Sequence, residues 1–117
     1  MIILSDTFYE FADPLMRQLG RPTLFCHTLR IDEAGFVRGY QLRQPDQKRA
    51  AVNALRSLNF RVLAAGDSFN DTGMLEAAEA GFFIHPPANI VAQFPQYKVH
   101  HDYASLRASI DAAAGAA

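Results

Sequence analysis

Cysteine occurs once in this chain, at Cys26, so an internal disulfide framework is excluded. Basic charge is not in excess: 11 Lys and Arg stand against 12 Asp and Glu, for a formal net charge of -1. A nucleic-acid backbone and an anionic membrane surface are therefore not expected partners. The first residues lack the charged stretch and long apolar run of a signal peptide, so no secretory leader is expected, and the expected location is cytoplasmic. No internal repeat or linker interrupts the chain. His27, His100 and His101 show no metal-ligand spacing, and Cys26, closing an apolar run, reads as a core residue. What is present is apolar content of 50% over 117 residues, enough for one domain spanning 1–117 but not for two.

Short apolar runs alternate with segments of helical period, the pattern of βα units feeding a mostly parallel sheet, so the expected class is α/β. Met1 to Leu4 reads as a buried strand, and Thr7 to Leu19 as a helix with Phe8, Phe11, Leu15 and Leu19 on one face and Gly20 ending it. Pro14 predicts a kink there, or a restart with Asp13 as N-cap. A strand at Thr23 to Cys26 precedes a hairpin of Thr28 to Ile31 and Phe36 to Leu42, turning at Asp32 to Gly35. Asp46 is expected to cap a helix with Ala51, Leu55 and Leu58 at core spacing, which leads into a strand at Arg61 to Ala65. A loop at Gly66 to Asn70, a helix at Asp71 to Ala78 and a strand at Gly81 to Ile84 repeat the pattern. A proline-broken loop at His85 to Ala88, a short strand near Tyr97 to Val99 and a helix capped by Asp102 complete it, with the terminal AAAGAA expected to fray.

In open α/β sheets ligands gather where strands end and helices begin. Three such places carry chemistry. Gly66-Asp67-Ser68-Phe69-Asn70-Asp71 sets two carboxylates four residues apart, one at a strand tip and one in a first helical turn, and hard oxygen ligands so placed suit Mg²⁺. The same aspartates serve equally as turn and helix-terminus residues. Ser5-Asp6-Thr7 offers a hydroxyl where a helix is expected to open and free N–H groups favour phosphate, although an ordinary N-cap has the same composition. Lys48, in the first turn of the next helix, could reach a phosphoryl oxygen, while a lone helical lysine is commonly a solvated surface residue.

Taken together, ILSD, then Lys48, then AAGDSFND followed by TGMLEAA resemble motifs two, three and four of the haloacid dehalogenase phosphatases. Within that superfamily the runs ILSDTFYEF, GYQLRQ and FPQY are similar to the phosphoserine phosphatases, nearest the branch that also transfers phosphate to homoserine. The resemblance covers nearly the whole chain. It implies a Rossmann-like three-layer core with a β-hairpin insertion and Mg²⁺-dependent hydrolysis, through an aspartyl phosphate, of a small phosphorylated metabolite such as phosphoserine. It also implies residue roles. Ser5 would donate its hydroxyl to the phosphoryl group with the Asp6 and Thr7 amides assisting, Lys48 would neutralise phosphoryl and nucleophile charge, and Asp67 would bind Mg²⁺. Asp71 would orient metal-bound water and Lys48, and Asn70 would contact substrate or phosphate. His85, in IHPPAN, resembles the FHAKP segment of phosphoserine phosphatases without its lysine, and is expected to be structural.

The family's first motif, a strand ending in Asp-x-Asp, is absent from these residues, since no two aspartates lie two positions apart. Its aspartates are the nucleophile and the acid-base group. The cap that selects substrate normally follows that motif, so the chain resembles the C-terminal part of such an enzyme. Phosphate-monoester hydrolysis can demand more than ~25 kcal/mol of barrier lowering, and individual electrostatic donors supply roughly 3–4 kcal/mol each. These residues alone are thus expected to be inactive and to bind Mg²⁺ weakly or not at all. The resemblance puts the missing strand centrally, so Met1 to Leu4 is expected to pair with Arg61 to Ala65, or oligomerisation through exposed sheet edges to fill the gap. Two functions stand: the phosphomonoesterase of a longer enzyme, and a catalytically silent module that binds phosphate or a partner.

Overall fold

The computed structural model describes residues 1–115, so Ala116 and Ala117, the end of the segment expected to fray, lie outside the described residues. It is an α/β protein in two compact units, Met1–Gln47 and Lys48 onward. No described helix is long and apolar enough to cross a membrane.

In the first unit, β1 (Ile2–Phe8), β2 (Thr23–Ile31) and β3 (Val37–Gln41) form one sheet in that order. β1 runs parallel to β2, and β2 antiparallel to β3. The two short strands expected at Thr23 to Cys26 and Thr28 to Ile31 are thus one continuous strand, whose first half serves β1 and whose second half serves β3. The hairpin turn is set by Asp32, whose Oδ1 accepts the amides of Ala34 (3.0 Å) and Phe36 (2.9 Å), while Gly35 takes a φ of 88° that a side chain disfavours. β1 outruns its expected end. Ser5, Asp6 and Thr7 lie within the strand, and helix α1 (Tyr9–Gln18) opens at Tyr9 from an extended Phe8. The expected helix opening at Thr7 is therefore not formed. α1 passes through Pro14 without a restart, and Asp13, the alternative cap, instead pairs with Arg17 and Arg21. Its apolar face is not covered: Phe11, Leu15 and Leu19 are exposed.

In the second unit, β4 (Leu63–Gly66), β5 (Ala80–Ile84) and β6 (Lys98–His100) form a parallel sheet in that order. Helix α2 (Gln47–Ser57) precedes it. Asp46, expected as its cap, takes a left-handed φ of 47° where a cap is normally extended. Val52 is buried on α2, whereas Leu58, beyond the helix end, is exposed. A 3-10 turn at Phe69–Asp71 leads into α3 (Thr72–Ala77), and an unanticipated helix α4 (Ala88–Gln93) follows the prolines. α5 (Tyr103–Gly115) starts as expected, with Asp102 Oδ1 accepting the Ser105 amide at 2.7 Å, and Ala112, Ala113 and Ala114 of the segment expected to fray are helical. The core here is Phe83, Leu75 and Val52, with Phe82, Met74 and Ile90 around them. Gly81 admits this packing, because a Cβ there would stand 2.9 Å from that of Leu75.

The direct pairing expected between Met1 to Leu4 and the strand before Asp67 is not among the strand ladders of the described residues. Among the described residues β1 pairs with β2, and β4 with β5. The parallel register from Ile2 opposite Thr23 to Leu4 opposite Phe25 gives β1 an intra-unit partner instead.

Candidate active site

The acidic loop is built on backbone economy at Gly66. β4 ends there, and a Cβ at this position would lie 2.5 Å from Asp71 Cβ and 2.6 Å from its Oδ2. Only hydrogen fits. Asp71 can then fold back over the strand end, where its Oδ2 accepts the amides of Asp67 (2.9 Å) and Ser68 (3.2 Å). Its Oδ1 accepts Lys48 Nζ at 2.6 Å, and both side chains are nearly buried, at 11% exposure for Lys48 and 8% for Asp71. Burial alone would push the Asp71 carboxyl up. The Lys48 hydrogen bond and charge and the two amides outweigh it, holding the group below the ordinary carboxylate range. Asp71 is thus an ionised clamp that fixes the Lys48 ammonium and closes the loop, with both oxygens already engaged.

Asp67 and Asn70 stand differently. Both are exposed, and the Ser68 hydroxyl ties the turn by donating to Asn70 Oδ1 while lying 3.3 Å from Asp71 Oδ2. The Asp67 carboxylate offers Mg²⁺ a hard oxygen ligand. No group of three or more His, Cys, Asp or Glu side chains is placed to hold a metal among the described residues.

Lys48, Asp67, Asn70 and Asp71 are thus brought together in the second unit. Ser5, Asp6 and Thr7 belong to the first, where Ser5 Oγ accepts the Thr7 amide at 3.2 Å and Asp6 Oδ1 lies 3.5 Å from the buried His27 Nε2. Ser68 and Gln47, whose Nε2 donates to Ser5 O, have no assigned role in the sequence analysis, and His27 is considered there only for metal-ligand spacing. For Ser68 there was a signal, since Ser-x-x-acid at a helix start is a capping pattern. Nothing local distinguishes a histidine that will face a carboxylate across a strand bulge. Cys26 is buried and its thiol is pushed up by that burial despite Arg43, which accords with a core residue rather than a nucleophile. His85 lies outside the acidic loop, against the rings of His101 and Tyr103, with its backbone amide bonded to His100.

A parallel α/β sheet with a Gly-Asp loop at a strand tip and a buried Lys-Asp pair against it places the molecule in the class of α/β proteins with an acidic loop at a strand end. A sequence model of the haloacid dehalogenase-like hydrolases matches residues 1–79, and the chain belongs to that family. It is 58% identical over 107 residues to phosphoserine phosphatase ThrH of Pseudomonas aeruginosa, a match covering 92% of this chain and 52% of that relative. It is 55% identical over 107 residues to a phosphoserine phosphatase of Pseudomonas syringae pathovar tomato, covering 92% of this chain and 45% of the relative. The chain thus spans about half the length of the curated relatives it matches. In fold it resembles a substrate-bound phosphoserine phosphatase, with a TM-score of 0.72 at 14% identity over 92% of this chain and 54% of the other.

Proposed function

We propose that these residues form the phosphate- and metal-handling part of a phosphomonoester hydrolase acting on phosphoserine or a similar small phosphate, within a cytoplasmic, serine-forming metabolism. The observation that carries the reading is the buried Lys48–Asp71 pair. A lysine held at 2.6 Å by a carboxylate that itself cannot turn away is a fixed positive charge, the group needed where negative charge gathers on a transferring phosphoryl. Asp71 acts through Lys48 and through the loop it closes. Ser5 would donate its hydroxyl proton to a phosphoryl oxygen, with the Asp6 and Thr7 backbone assisting, and Asn70 would contact the substrate. Asp67 would contribute one carboxylate to Mg²⁺, which when bound neutralises phosphate charge. Asp6, the one strand-tip carboxylate that could substitute as nucleophile, occupies the motif-two position and has no Asp partner two residues on, so the reading places the nucleophile on a carboxylate outside these 117 residues.

Phosphate release from phosphoserine with Mg²⁺ tests this. We expect no turnover from the 117-residue chain, and turnover when it is joined to an apolar strand ending in Asp-x-Asp. Robust hydrolysis by the chain alone would overturn the account of the missing nucleophile. The missing motif also supports a second reading, a silent module that binds phosphate. Saturable phosphate binding abolished by Ser5→Ala, with no turnover in the joined form, would favour it.

A further inference from the structure

The register of β1 against β2 breaks in the stretch that carries Ser5. Leu4 stands opposite Phe25 and Phe8 opposite His27, so Ser5, Asp6 and Thr7 together span the place of one residue, Cys26. Three residues bulged out of a parallel ladder lose their regular partners, and the lost bonds must be replaced if the bulge is to hold one shape. A buried glutamine replaces part of them, and a buried histidine faces the bulge's carboxylate. Gln47, 3% exposed, donates its Nε2 to Ser5 O at 2.6 Å and to Phe25 O at 3.3 Å, bridging the two strands where their ladder fails. Its orientation is unambiguous, because only a donor is tolerated between two carbonyls.

His27, 6% exposed, is fixed from the opposite direction in the chain. Its Nδ1 accepts the Arg43 amide at 3.0 Å, so the neutral ring carries its proton on Nε2, the nitrogen 3.5 Å from Asp6 Oδ1. Asp6 is the only carboxylate in the bulge. Its carboxylate lies within ion-pair distance of the His27 ring nitrogen, while Ser5 Oγ accepts the Thr7 amide.

We propose that His27 and Gln47 are positioning residues that together hold the Ser5-Asp6-Thr7 bulge in a shape suited to an anion, His27 by tethering the Asp6 carboxylate in its Nε2–H tautomer and Gln47 by bridging Ser5 to Phe25. The anion-binding part rests on the phosphate role given above to Ser5; the clamp itself does not.

The test uses the ¹⁵N-labelled 117-residue chain at neutral pH. Imidazole nitrogen shifts should report the Nε2–H tautomer for His27, and the Asp6 and Thr7 amides should be protected from exchange. His27→Phe should lose that protection about tenfold or more, the loss expected for a removed charge-assisted contact. His27→Gln, which restores a donor near the Nε2 position, should recover most of it. Gln47→Met should lose protection at Ser5-Asp6-Thr7 while leaving the His27 tautomer unchanged, and β5 amides should stay protected in every variant as the control for folding. An Nδ1–H or charged His27, or bulge amides indifferent to both His27→Phe and Gln47→Met, would overturn the clamp. Titration with inorganic phosphate separates the two readings. Bulge amides that respond to both variants without saturable phosphate shifts in the wild type would support the clamp and overturn the phosphate-binding module, the second reading above.

Discussion

At the scale of single residues, Asp71 joins more of the site than any other side chain. One oxygen holds Lys48 and the other closes the Asp67-Ser68 backbone. Removing one partner of a buried pair leaves the other charge unpaired, so Asp71→Asn should cost about 3–5 kcal/mol in urea unfolding. Lys48→Met should cost less, because the carboxylate keeps its two amides, and the double variant should cost less than the sum of the singles. Gly66→Ala tests the same carboxylate sterically. Its Cβ would enter the space held by Asp71, and a loss of about 1–3 kcal/mol is expected by the same measurement.

At the scale of elements, helix α1 stands apart. It carries Pro14 in its interior, which forfeits a backbone hydrogen bond, and it presents Phe11 and Leu15 at 67% and 54% exposure. Leu15→Glu should therefore change the unfolding free energy by no more than about 0.5 kcal/mol, as for an ordinary surface substitution. A leucine truly in a core would cost several times that, and a loss of ~2 kcal/mol or more would mean the face is covered in solution. The elements around β5 behave oppositely. Phe83 is fully buried and its neighbours Leu75 and Val52 nearly so, and amide exchange should be slowest in β5 and fastest in α1.

At the scale of the whole molecule, stability should fall in acid for a nameable reason. The Asp71 carboxyl is held below its ordinary value in the folded chain, so its contribution is complete above the unfolded-state pKa of roughly 3.9. It is lost as pH drops through the folded value. Urea midpoints measured from pH 7 down to pH 3 should fall at the acid end, and Asp71→Asn should flatten that part of the curve. Every buried apolar side chain among the described residues except Cys26 lies in the second unit. With apolar side chains such as Phe11, Phe36, Tyr40 and Phe60 exposed, concentration-dependent self-association is expected in sedimentation velocity.

Much of this was legible in the chain itself. Strong local signals survive folding: the Gly-Asp loop after an apolar strand, the Asp32 to Gly35 turn, and the Asp102 cap each depend on residues within a few positions of one another. The family and the α/β class follow from such signals in order. Other features depended on partners distant in sequence. Periodicity marked Phe11, Leu15 and Leu19 as a core face, but whether that face is covered depends on what packs against it. A bulge in β1 exists because β2 sets the register, which is why Ser5-Asp6-Thr7 reads locally as a helix start and folds as strand. Lys48 read alone is a surface lysine. Burial against Asp71, 23 residues away, makes it a fixed charge, because only a low-dielectric pocket with a matched carboxylate holds an ammonium in one place.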